Sequence, residues 1–93
     1  MTVRPLIAEQ RKEQRVTAAG EVRLSVQGHK LLEFSGRMLD SSQSGFRAAH
    51  TQTALSTGQR VRFHYSRRQG HALVMWNRIL PDHIESGFLI LDK

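Results

Sequence analysis

Two short stretches of this chain alternate apolar and polar residues one by one, and that alternation restricts the fold more than any other feature. Val22, Leu24 and Val26 are separated by Arg23 and Ser25, while Val61, Phe63 and Tyr65 alternate with Arg60, Arg62 and His64. A period of two sends successive side chains to opposite faces of an extended backbone, so each stretch reads as a strand with one face buried.

The intervening segments fit the same pattern. Gln27-Gly28-His29 reads as a hairpin turn leading to a second strand over about residues 30–39, where Leu32, Phe34 and Met38 share a face. Gly36 lies on that face and is expected to mark a bulge. Asp40 to Gly45 is a polar loop, after which Phe46, Ala48 and His50 begin a short strand. Ser56-Thr57-Gly58 turns the chain, Arg67 to Gly70 forms a loop, and residues 71–79 make a strand around Trp76. Pro81-Asp82-His83 turns it again before Gly87–Leu91 closes the sequence.

About six short strands, with no long amphipathic helix, predict an all-β barrel or sandwich. Closure into a barrel is favoured in so small a chain because it removes exposed sheet edges. Ninety-three residues make one domain. Residues 1–18 stand apart, with Pro5 and the charged run Glu9 to Arg15 showing no apolar periodicity. They are expected to form a flexible arm, and residues 19–93 the barrel.

Composition removes several kinds of chemistry. The absence of cysteine excludes disulfides, thiolate metal sites and thiol nucleophiles. No apolar run approaches the roughly 18 residues of a membrane span, and the N-terminus is too weakly apolar for a signal peptide, so the cytoplasm is expected. There is no Gly-x-Ser-x-Gly elbow, and the five histidines, at 29, 50, 64, 71 and 83, show no metal-ligand spacing. The expectation is a protein that is not an enzyme, with no catalytic residues, metal or cofactor. The net charge of +6 rests mainly on arginine, whose planar fork grips phosphate or a guanine edge with paired hydrogen bonds.

Two motifs carry more information. Arg11 and Arg15 are separated by three residues on the arm, and Asp40-x-Ser42-x-x-Gly45 follows the second strand. With 11 arginines in the chain, about one Arg-x-x-x-Arg pair arises by chance. The aspartate motif arises by chance only roughly 0.02 times in a chain of this composition. The pair of motifs, in this order, resembles the PilZ family. Leu55-x-x-Gly58, the strand around Trp76 and Gly87-Phe88 are also similar to that family's pattern. Phe46 departs from it, standing where many members have a small or aliphatic residue.

The resemblance implies a six-stranded antiparallel PilZ-type barrel of bacterial origin that binds cyclic di-GMP as a second-messenger receptor or adaptor. It assigns ligand binding to Arg11, Arg15, Asp40, Ser42 and Gly45. The residue types suit that ligand. Arginines match its phosphates and the two acceptors on guanine's Hoogsteen edge, and a carboxylate matches the donors on the Watson–Crick edge. Plainer readings also exist. Arg11 and Arg15 at this spacing suit a solvated helix face, and Asp40 with Ser42 suits an Asx-turn. Trp76 is expected in the core, and whether Trp76, Arg60, Arg62 or Arg78 adds a ligand contact is open. The alternatives are a basic barrel binding RNA or single-stranded nucleic acid, disfavoured by the lack of paired aromatic platforms, and a PilZ-like interaction module without ligand. A downstream protein partner is expected, though the sequence does not identify it.

Overall fold

The computed structural model describes residues 16–27 and 32–92. Arg11 and Arg15, and Gly28 with His29 of the expected hairpin turn, lie outside the described residues. Seven strands follow in order: β1 (Val16–Thr17), β2 (Glu21–Val26), β3 (Glu33–Ser41), β4 (Gly45–His50), β5 (Arg60–Tyr65), β6 (Arg68–Ile79) and β7 (Ile84–Ile90). Every pairing between them is antiparallel. Taken round the ring as β2-β3-β4-β7-β6-β5, six strands close into a barrel because β5 pairs back with β2. β1 is the additional strand. It joins β3 on the same side as β2, after an interruption at Gly20, whose φ of 106° lies in the left-handed region.

The period-two stretches behave as their sequences dictate. β2 buries Val22, Leu24 and Val26, and β5 buries Val61 and Phe63, with the intervening residues turned outward. Across the core, Phe46 of β4 stacks on Phe88 at 4.7 Å between ring centroids and tilts against Phe63 of β5 at 5.1 Å. Three rings in contact explain why a phenylalanine is tolerated after Gly45: it is a central core residue, 2% exposed.

The structure corrects several local expectations. The register shift in β3 falls between Met38 and Asp40, not at Gly36. Gly36 is needed for close approach instead, since a Cβ there would stand 2.9 Å from the Ala49 carbonyl oxygen. Arg67 to Gly70 is not a loop: Ser66 and Arg67 make the turn, Ser66 with a φ of 56°, and β6 begins at Arg68. Trp76 is not in the core. It is 37% exposed and lies on the outer wall.

The long β4–β5 connection crosses one end of the barrel and inserts Leu55, which is 6% exposed. A chain of hydrogen bonds fixes it there. The Gln52 amide donates to His50 Nδ1 at 3.0 Å, which makes Nε2 the protonated nitrogen of the neutral ring and the donor to Ser86 Oγ at 2.7 Å. Ser86 Oγ donates to Asn77 Oδ1, and Asn77 Nδ2 donates to the Leu55 carbonyl at 3.0 Å. Buried polar groups are thereby satisfied in a single direction around the end of the barrel.

Candidate functional site

The aspartate motif straddles the connection between β3 and β4. Asp40 is a strand residue rather than part of the expected loop, because β3 continues past its bulge and pairs there on both sides: Asp40 faces Thr17 of β1 and Arg47 of β4. Only Ser42 to Ser44 lie between the strands. Ser42 is buried, its amide donating to the Gly45 carbonyl at 2.8 Å and its hydroxyl to the same oxygen at 3.4 Å. Gly45 lies so close to β7 that a Cβ would meet the Phe88 carbonyl oxygen at 2.5 Å. From β6, Arg68 Nη2 donates to the Gln43 carbonyl at 2.7 Å, and the Ile90 amide donates to the Ser44 carbonyl at 2.7 Å. Ser42 and Gly45 therefore hold the turn tight against the neighbouring strands, and the turn in turn fixes Asp40.

A feature that sequence reasoning missed extends from Asp40. Cross-strand register places Thr17, Asp40, Arg47, Gly87 and Trp76 in one row over β1, β3, β4, β7 and β6. Arg47 Nε donates to Asp40 Oδ2 at 2.7 Å. The Trp76 indole covers Gly87, where any Cβ would collide with it. A bulge between Val74 and Trp76 gives the indole this outward aim. Met75, within that bulge, and Leu89 on β7 are exposed beside it. The row ends in an anion, a cation and an open aromatic surface on one outer wall. The outward position of Arg47, between inward Phe46 and Ala48, was available from the alternation, but its pairing with Asp40 was not.

The other candidate arginines divide between two walls. Arg78 is exposed on β6, two residues beyond Trp76 and on the same side. Arg60 and Arg62 project outward from β5, and the Phe46–Phe63 contact shows β5 to be across the core from β4. They belong to the opposite wall from Arg47. Among the described residues no three His, Asp or Glu side chains are grouped to hold a metal ion, and no helix is long and apolar enough to cross a membrane.

A family model for the PilZ domain matches residues 9–80. The chain belongs to the PilZ domain family. The matched span contains Arg11, Arg15, Asp40, Ser42 and Gly45 and runs to the end of β6. PilZ domains are cyclic di-GMP receptor modules rather than enzymes. No curated protein matches this PilZ chain.

Proposed function

We propose that this PilZ domain is a cyclic di-GMP receptor whose ligand lies along the outer wall of β3, β4, β7 and β6. The observation that supports it best is the row from Thr17 to Trp76. Asp40 supplies the acceptor that guanine N–H donors require, and Trp76 supplies a flat surface for a purine. Arg47 orients the carboxylate through their ion pair. Ser42 and Gly45 act by shaping the turn.

Arg11 and Arg15 complete the site with phosphate and Hoogsteen contacts. The covalent chain delivers them, because Arg15 is joined directly to Val16, whose register partner is Ser41, next to Asp40. Ligand draws residues 1–15 onto the barrel, and the surface so formed changes what a downstream protein encounters. No cofactor or catalytic step enters this reading, and the cytoplasm is the compartment where such a messenger is met.

Isothermal titration of cyclic di-GMP into the wild type and Arg15→Ala, with GTP as control, tests the proposal. Saturable wild-type binding, weakened at least about tenfold in the variant, is the expected result. Absence of wild-type binding overturns it. Amide exchange over residues 5–15 tests the ordering step separately, since protection there must rise on ligand addition.

A further inference from the structure

The wall opposite the proposed ligand site carries its own charge pattern. In the outward rows of β3, β2 and β5, Ser35 faces Arg23, which faces His64, and Glu33 faces Ser25, which faces Arg62. These six side chains line a groove. Arg60 extends the cationic line along β5. Among the described residues, Arg23, Arg60 and Arg62 form no ion pair, and Arg23 and Arg62 lie diagonally across the β2–β5 pairing.

From this we infer that the β2–β5 wall is a docking surface for an acidic segment of a partner protein, with Arg23 and Arg62 receiving its carboxylates. Charge complementarity selects the occupant. Two guanidinium forks on adjacent strands suit planar carboxylates, with Ser25, which faces Arg62 and lies two residues from Arg23, supplying a hydroxyl beside both. Strand addition is excluded here, because β2 is paired on both sides, with β3 and β5. Contact is therefore through side chains. A nucleic acid strand fits less well, because Glu33 sets a fixed anion within the groove against a backbone charged at every nucleotide, whereas a protein segment can place a neutral residue there. Arg23 and Arg62, on β2 and β5, stand apart from the proposed cyclic di-GMP site, and the two walls meet at β3.

The test is fluorescence anisotropy with the full chain and a labelled peptide alternating glutamate and glycine, alongside a labelled oligothymidylate. Arg23→Gln/Arg62→Gln is compared with Arg67→Gln/Arg78→Gln, which removes equal charge elsewhere. Saturable peptide binding weakened at least about tenfold by the first pair, and under about twofold by the second, is expected. Equal losses in both variants would mean diffuse attraction and overturn the assignment. So would no peptide binding, or tighter binding of the oligothymidylate. Unchanged thermal midpoints and cyclic di-GMP titrations in Arg23→Gln/Arg62→Gln show that the loss is local.

Discussion

Arg47 grips Asp40 across β3 and β4 immediately after a bulge has shifted the register between those strands. The pair is partly exposed on the arginine side, so its contribution to stability is small, about 0.2–1 kcal/mol. Its consequence is orientation: the carboxylate is held on the outer wall instead of turning toward the turn it adjoins.

Asp40→Ala is accordingly expected to leave the fold intact and damage binding. The methyl group removes the acceptor that the guanine N–H donors need. Titration calorimetry should show cyclic di-GMP affinity reduced at least about tenfold, with a thermal midpoint within a few degrees of wild type. Wild-type affinity in this variant would remove Asp40 from the site.

Trp76 is the only tryptophan in the chain, so its fluorescence reports directly on the outer wall. Cyclic di-GMP should alter its emission, and Trp76→Ala should weaken binding by about 1–3 kcal/mol, the scale of one stacked base. Gly87→Ala should shift the emission without ligand by lifting the indole off β7. An emission spectrum unmoved by that substitution would contradict the packing described.

Gly45→Ala reads a different contact. The new methyl group meets a backbone carbonyl of β7, which cannot rotate away as a side chain would. A loss of about 1–3 kcal/mol in urea denaturation is expected. Loss of binding in Gly45→Ala beyond this destabilisation would point to a direct ligand approach at this position as well.

The stability of the barrel should fall in mild acid because of His50. Burial, reinforced by nearby His83, holds this ring below the ordinary histidine value of 6.5. As pH falls past that value the unfolded chain takes up the proton first, so the stabilisation is present above it and is lost progressively below. His83 has the opposite sense. Its hydrogen bond with Asp82 raises its pKa, so its contribution is present in acid and fades as pH rises through the raised value. Comparison with His50→Gln isolates the buried ring. The gap in urea midpoint between wild type and variant should narrow from about pH 7.5 to about pH 5.5. A gap that stays constant would mean that His50 does not titrate in this range.

Particular residues show why parts of the molecule were legible from sequence. β2 and β5 were plain because each has one face in the core, and their alternation states it directly. The start of β6 was hidden because Arg68 and Gln69 are polar and near a glycine, which resembles loop chemistry. Their pairing with Tyr65 and His64 comes from the hairpin, a non-local fact. Asp40 was misplaced for a related reason: polar composition suggested a loop, whereas β1 and β4 hold it as a strand from both sides. Trp76 misled because a large aromatic in an apolar strand ordinarily belongs inside, and only the bulge turns it out. The aspartate motif identified the right region, but the partners of Asp40 come from other strands and leave no mark in local spacing.

The register of Arg47 with Gly87 joins the two halves of the chain, since β2, β3 and β4 form one meander and β5, β6 and β7 another. A ribosome-bound chain that has emerged only as far as β6 already displays both recognition motifs and the tryptophan. It lacks β7, the one strand on which the indole rests and through which Arg47 is linked to it. The proposed site is thus complete only once β7 has formed, and a product truncated before it would carry the signature of the family without the wall that the messenger is proposed to occupy.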